Sequence, residues 1–396
     1  MMHLFLNCLA ASAGSGLTYV RNVIPHLAAR PDLRATVALA PTLRNCLGSP
    51  RNISFIEMDL PAGAPGRFCW EQARLPSVIT EVGADVLISA GNFALWRSPV
   101  PQILLSGNSL YTSADFGRHL RARRAYRLWL DTRVRAFFAR RSVRWADCTV
   151  APSEAFADTL QRWTESKVVG LHHGFDPEIF FGDCAPLTSS LQDKIDRGKN
   201  SLRLIFVSHY NYYRNFETLL RALPHIQERL GGRPIQLFLT CKLSGEEGSG
   251  SYRAEAAAAL IQRLGIRDHV VELGAVPYRL LHRVIRACDI YVTPAYAETF
   301  AHPLVEAMAC GLPVVASDLS VHREICGNAA LYFPRFSPQV LADCVVQLEQ
   351  SSALRKRLSE CALERSRGFS WRAHVEQIIA LAHGLKHNDV SHSHAA

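Results

Sequence analysis

The chain has 396 residues, 48% apolar and 20% charged, enough to build two hydrophobic cores and so two domains. Its net charge is +9, yet it holds no run of about 20 uninterrupted apolar residues, which argues against a membrane-spanning helix. Eleven cysteines stand singly with no C-x-x-C pair, which argues against a disulfide framework or zinc site and for reduced thiols in the cytoplasm.

In chain order, HLFLNCLA (3–10) reads as a first strand, and no basic stretch precedes it as a signal peptide would require. The small-residue loop ASAGSG (11–16) leads into LTYVRNVIPHLAAR, apolar at helical spacing. TVALAPT (36–42), ADVLISAG (84–91) and VPQILLSG (100–107) read as later strands. The stretch 118–144 sets ten arginines against one acid, Asp131, among Trp129, Phe137 and Phe138. That is the composition of a basic amphipathic helix. It fits an anionic membrane surface and a solvated helix face about equally, and it fits no nucleic acid because no nucleic-acid motif accompanies it. ADCTVAPS (146–153) is a strand closing on Ser153, an N-cap for EAFADTLQRW, and KVVGLHHGFD (167–176) ends this half.

The polar stretch 187–201 is expected to be a linker. LRLIFVS (202–208) restarts the pattern, followed by a helix (216–230), the strand IQLFLT (235–240) and a loop at 242–251 expected to be mobile. A helix (253–264), the strand HVVELG (269–274) and a helix around 278–287 come next. A last helix (370–385) follows a break at Gly368, and the histidine-rich tail 386–396 is expected to be disordered. Strand–helix alternation throughout predicts two doubly wound parallel α/β domains, at 1–186 (joined by the helix 370–385) and 202–368.

The stretch AETFAHPLVEAMACGLPVVAS (297–317) carries two glutamates in an apolar setting, Glu298 and Glu306. On one unbroken helix they would lie about 12 Å and roughly 80° apart, too far to grip one small molecule. Pro303 changes this, because proline is tolerated mainly in a first helical turn. The expected unit is the strand ACDIYVTP (287–294), a loop with Glu298, and a helix from Pro303 to Gly311 with Glu306 in its first turn. The strand PVVAS (313–317) closes it. Both carboxylates then lie beyond the carboxyl ends of parallel strands, where such sheets bind ligands. Amides from Thr299 to Leu304 suit a diphosphate, and the carboxylates suit hydroxyl groups. A nucleotide sugar has that shape.

Gly14 and Gly16 form a loop between strand and helix, but Tyr19 breaks the dinucleotide fingerprint, and no acidic residue ends TVALAPT to hold a ribose. A nicotinamide enzyme is therefore disfavoured. There is no P-loop and no D-x-D, so no metal–diphosphate grip and no metal or other cofactor is expected. Charge neutralisation falls to VSHYNYYRNFETLLRAL (207–223), where Arg214 forks onto phosphate oxygens and His209 donates. The competing reading pairs Arg214 with an acid such as Glu217.

Taken in order, these motifs resemble the retaining glycosyltransferases of family four, which have the GT-B fold of two Rossmann-like domains facing across a cleft. ETFAHPLVEAMACGLPVV resembles the family's double-glutamate signature, ADCTVAPSEAFADTL and LHHGFDPEIF its segments ending the first domain, and ASAGSG its first glycine-rich loop. The likeness covers nearly the whole chain. It implies that Glu298 contacts the donor sugar, Glu306 the ribose, and Arg214 the diphosphate, where the family has lysine. Thr299, Phe300, Ala301, Pro303 and Leu304 would surround sugar and diphosphate, while Gly14 and Gly16 would close against the donor. The chain departs from the family at Ser208-His209, usually glycine-arginine, at Ala301, usually glycine, and at Ser106 and Asn108, where a histidine is usual. Asn108 would replace that histidine as a donor to sugar and phosphate. The implied activity is retaining, metal-independent transfer of a sugar from a nucleotide sugar to a glycan or lipid-linked acceptor. Its expected setting is bacterial cell-surface polysaccharide synthesis, in the cytoplasm or on the inner face of the membrane. The alternatives are a non-catalytic sugar-nucleotide scaffold and a GT-B epimerase.

Overall fold

The computed structural model describes residues 1–11, 14–44, 47–61, 63–183, 185–243 and 252–393. In chain order its elements are β1 (Met2–Asn7), α1 (Gly14–Ala28), β2 (Leu33–Leu39), α2 (Pro41–Arg44), β3 (Ile53–Glu57), α3 (Ala64–Glu81), β4 (Val86–Ala90) and β5 (Gln102–Leu105). Then come α4 (Ala114–Ala122), α5 (Tyr126–Trp145), β6 (Cys148–Ala151), α6 (Glu154–Gln161), β7 (Lys167–Gly170), α7 (Pro177–Phe181) and α8 (Ser189–Asp196). The remainder is β8 (Leu202–Phe206), α9 (Phe216–Arg229), β9 (Ile235–Leu239), α10 (Glu255–Leu264), β10 (Val270–Glu272), α11 (Tyr278–Arg286), β11 (Ile290–Thr293) and α12 (His302–Ala309). Last are β12 (Val314–Ser317), α13 (Ser320–Cys326), β13 (Ala330–Phe333), α14 (Pro338–Gln350), α15 (Ser352–Ser366) and α16 (Trp371–Ser393).

The chain forms two compact units. One comprises Met1–Thr112, Leu130–Gly174 and the segment from Ser370; the other comprises Ser113–Trp129 and Phe175–Phe369. In the first, the strand order is β3-β2-β1-β4-β5-β6-β7, all parallel. β1 buries all six of its residues, as a central parallel strand covered on both faces must. Leu4 and Leu6 face a core that α1 and α16 fill with Val20, Ile24, Trp371 and Ile378, while Phe5 faces Leu75 and Ile79 of α3. His374 ties α16 down. Burial holds its pKa near 4, so the ring is neutral, with Nδ1 3.0 Å from the His172 carbonyl and Nε2 3.1 Å from the Tyr19 hydroxyl.

In the second unit the order is β10-β9-β8-β11-β12-β13, again all parallel. The short strands are apolar and buried end to end at β11 and β12. Two parallel, doubly wound sheets are the fold class that the strand–helix alternation predicts.

The organisation departs from the sequence reading in four places. Residues 175–186, expected in the first domain, and 187–201, expected to be a linker, are part of the second unit: the latter contains α8, whose Ile195 is buried and whose Lys194 donates to the Glu272 carbonyl at 2.9 Å. Its polar composition hides that single apolar anchor. The basic stretch 118–144 is two helices, broken where Arg124 takes φ +55°, and the segment 113–129 belongs to the second unit. The tail is helical to Ser393, since no proline or glycine follows Gly384 to stop it. Finally, Gly14 and Gly16 lie in the first turn of α1, not in a loop ahead of it. The expected mobile loop at 242–251 falls mostly outside the described residues.

Candidate functional site

In the second sheet the winding reverses between β8 and β11: β9 and β10 extend on one side, β12 and β13 on the other. A crevice opens beyond the strand ends at such a point. The loops that follow β8 and β11 meet there and are stitched together. The Tyr296 amide donates to the Tyr213 carbonyl at 2.9 Å, and Asn215 Nδ2 donates to the carbonyls of Pro294 (3.0 Å) and Arg335 (2.6 Å). Asn215 has φ +56°, a left-handed conformation that asparagine tolerates better than most residues. From the far side, Ser317 Oγ at the end of β12 donates to the Ala295 carbonyl.

This stitching brings Arg214 to Glu298, and the two form an ion pair through Nη1 and Oε1. Both side chains are largely buried, and the guanidinium also lies 4.9 Å from the centre of the Tyr213 ring. Its Nε is buried without a hydrogen-bond partner. Glu217 is not its counter-ion, because Glu217 pairs with Arg123, which sits 4.4 Å over the Tyr212 ring. Arg123 belongs to the segment 113–129, which also contacts the loops after β8 and β11 and the one after β13. Phe116 packs against Tyr213, Asp115 pairs with Arg335, and His119 Nδ1 lies 3.1 Å from the Tyr296 hydroxyl.

Glu306 is held differently. Helix α12 begins at His302, with Pro303 second and Ala301 as its N-cap at φ +66°. Glu306 therefore lies past the first turn, where the helix dipole acts weakly. It is 6% exposed, and burial raises its pKa to about 7 against the opposing pull of a hydrogen bond from Tyr278. Its Oε2 is buried without a partner. A nearly buried carboxylate with an unused acceptor is a costly feature for a fold to keep. The amide stretch is shorter than the sequence suggests. Pro303 has no N–H, and that of Leu304 donates to the Ala301 carbonyl at 2.9 Å, so neither offers an amide to an anion. The Phe300 side chain is a core residue against Phe369.

His322 is a buried polar residue beyond the end of β12 that the sequence reading did not single out. It is fully buried on α13, directly beyond β12, and burial lowers its pKa to about 4. Nδ1 contacts Ser317 O (2.9 Å) and Ser317 Oγ (3.2 Å), while Nε2 is buried without a partner. No spacing or periodicity marks it, since a lone histidine in VHREIC reads as a helix residue.

The remaining predicted positions lie elsewhere. His209 follows β8 but is exposed. Gly14, Gly16 and Asn108 are in the first unit. A Cβ on Gly16 would meet Ala11 Cα at 3.0 Å, so only glycine fits that approach easily. Asn108 is committed locally. Its Oδ1 accepts the Leu110 amide at 3.1 Å, and its side chain hydrogen-bonds the Tyr111 hydroxyl. That leaves little of it to stand in for a ligand-contacting histidine. In the first unit α5 exposes Leu130 (58%), Val134 (48%) and Phe137 (54%) on one face, with Arg133, Arg140 and Arg141 exposed beside them. No helix among the described residues is long and apolar enough to cross a membrane.

Residues 17–179 match the family described as Glycosyltransferase Family 4, and residues 189–365 match Glycosyl transferases group 1. D-inositol 3-phosphate glycosyltransferase of Kribbella flavida is 27% identical over 225 residues, 56% of this chain and 52% of that protein. The chain thus spans about half the length of the curated relatives it matches. Among solved structures, sucrose-phosphate synthase from Thermosynechococcus elongatus superposes with TM-score 0.74 at 17% identity, over 97% of this chain and 99% of that one. Anabaena HepE in complex with UDP superposes with TM-score 0.70 at 19% identity, over 97% and 100%, and it was also solved with UDP-glucose. At these identities the likeness is one of fold.

Proposed function

We propose that this chain, which belongs to the group 1 glycosyltransferases of family four, transfers a sugar from a nucleoside-diphosphate sugar to a glycan or lipid-linked acceptor, retaining the anomeric configuration. The observation that carries this reading is the Arg214–Glu298 ion pair at the switch point of the second sheet, with Glu306, on the helix that follows the same loop, keeping a buried oxygen without a partner. A ligand with hydroxyls at both ends and a diphosphate between would complete that set.

In the mechanism, Glu306 accepts from the ribose hydroxyls and Glu298 from those of the donor sugar. The bond from the anomeric carbon to the β-phosphate oxygen breaks, and the acceptor oxygen bonds to the same face of that carbon. The acceptor's proton passes to the departing phosphate oxygen, so no protein nucleophile is needed. Negative charge grows on the diphosphate, and Arg214, the 299–302 amides and His209 stabilise it without a metal ion. Such electrostatic stabilisation is usually the largest catalytic contribution. Gly14, Gly16 and Asn108 remain the first unit's proposed donor contacts, Asn108 the weakest of them. An acceptor carried by a lipid fits the exposed apolar and arginine-rich face of α5, which suits an anionic surface on the cytoplasmic side of a membrane. The assembly of a cell-surface polysaccharide is the process such a reaction would serve.

The experiment that tests the reading is thermal unfolding against UDP, GDP and ADP and their sugars, because only ligands of the native state raise the midpoint. Stabilisation by one base series, followed by acceptor-dependent release of that nucleoside diphosphate, is the expected result. No stabilisation by any of them would overturn it.

A further inference from the structure

His322 has no part in the reading above, yet through Ser317 it adjoins the loop that carries Glu298. Both of its Nδ1 contacts are to oxygens that accept. One is the Ser317 carbonyl, and the other is Ser317 Oγ, whose own proton goes to the Ala295 carbonyl. Nδ1 therefore carries the ring's proton, and Nε2 holds a bare lone pair, buried and without a donor. The ring stays neutral at any working pH, so it offers an acceptor and no charge.

Across the same loop lies its complement. Strand β11 runs between β8 and β12, and its following residues 294–298 are tied to Tyr213 on one flank and to Ser317 on the other. Arg214 stands on the first flank and His322 on the second. The Nε–H of Arg214 is a buried donor without an acceptor, and the positive charge of Arg214 reaches His322. One orphan donor and one orphan acceptor thus stand on residues at opposite flanks of a common loop.

We propose that His322 is a positioning residue for Arg214: when a diphosphate draws the guanidinium from Glu298, its Nε–H lodges on Nε2 of His322. The inference rests on the donor-binding reading above. It explains how one arginine serves two masters in sequence. Held at Nε, the guanidinium presents its two terminal nitrogens as a fork to phosphate oxygens, and Glu298 is released to the sugar hydroxyls. Without an anchor, the side chain would have to be ordered by the diphosphate alone.

The test is isothermal calorimetry with UDP, GDP or ADP, whichever stabilises the wild type, and with the matching monophosphate. His322→Phe fills the space without an acceptor, and His322→Gln returns an acceptor near the position of Nε2. The expected result is that His322→Phe weakens diphosphate binding about tenfold, as loss of a hydrogen bond orienting a charged group should, and leaves monophosphate binding unchanged. His322→Gln recovers most of the loss, and in an Arg214→Ala background His322→Phe has no further effect. If His322→Phe does not fold, His322→Asn decides, since it can keep the Ser317 contact but does not reach the place of Nε2. Equal weakening of mono- and diphosphate, or an effect that persists without Arg214, overturns the role of His322. A wild type that binds no nucleoside diphosphate overturns instead the donor reading on which it stands.

Discussion

Arg214 and Glu298, 84 residues apart in the chain, neutralise one another at the carboxyl edge of the second sheet. Their pairing couples two functions that would otherwise be independent. Glu298→Gln is expected to lower transfer by at least about 100-fold, the scale of losing one preorganised polar contact to the reacting centre. Because Arg214 is freed, nucleoside diphosphate should bind the variant as tightly as wild type or tighter. Near-normal turnover in steady-state assays would remove Glu298 from the site.

Replacement of Arg214 should grade with charge and shape. Lysine keeps the charge but loses the fork, whereas alanine also leaves the carboxylate of Glu298 unpaired in a mostly buried place. The expected order of diphosphate affinity and of unfolding midpoint is wild type, then Arg214→Lys, then Arg214→Ala. An alanine variant equal to the lysine variant in both measurements would contradict the pairing.

Glu306 predicts opposite pH trends for stability and for binding. Its folded pKa of about 7 lies above the ordinary 4.5. The native state therefore binds more protons than the unfolded one between those values, and stability falls as pH rises through that window. Glu306→Gln removes the penalty, so by pH 8 urea unfolding should find it more stable relative to wild type than at pH 4.5, by about 3 kcal/mol. If Glu306 holds the ribose as proposed, the carboxylate form is needed, so wild-type nucleotide affinity should rise through pH 7. The glutamine variant should bind more weakly above that pH, by on the order of 1.5–3 kcal/mol. A pH-independent difference in stability between the two proteins would show that Glu306 does not titrate there.

Transfer should survive chelation. With no D-x-D and with Arg214 available, the diphosphate is expected to need no divalent ion. An activity lost in EDTA and restored by magnesium or manganese would refute this.

Vesicle co-sedimentation tests α5. Arg127, Arg140 and Arg141 changed together to glutamate should abolish binding to vesicles containing anionic lipid, and high salt should weaken the wild type, since each basic residue contributes roughly 1 kcal/mol within a Debye length. Arg123 is a poor choice for this test because Glu217 already holds it. Donor hydrolysis should be unchanged in the triple variant. Wild type that ignores anionic vesicles at low salt would make the stripe a solvated face and favour a soluble acceptor.

What could be read from the sequence was punctuation and period. Pro303 and Gly311 delimit a short helix after an apolar strand, and that alone predicts that Glu298 and Glu306 approach one crevice. Gly311 takes φ +77° just beyond the helix, as its place implies. What could not be read was pairing at long range. Nothing local links Arg123 to Glu217, Arg214 to Glu298, or His322 to Ser317 and the loop beyond it. Asn108 is instructive in the other direction. Its type suited a ligand contact, but a turn two residues long consumes its carboxamide.

The division of the chain into interleaved pieces bears on how the molecule is made. The second unit takes 113–129 from the early half, and the first takes its closing helix α16 from residues that follow the whole of the second unit. Emerging from a ribosome, the first unit cannot complete its core until Trp371, Val375 and Ile378 have appeared, long after its own sheet. During that interval the apolar sides of Leu4, Leu6 and Val37 lack their cover. A gene cut at the polar stretch near 190 would yield two fragments, each missing a helix carried by the other. Neither fragment should express in soluble form alone, and co-expression of the two should restore what separate expression loses.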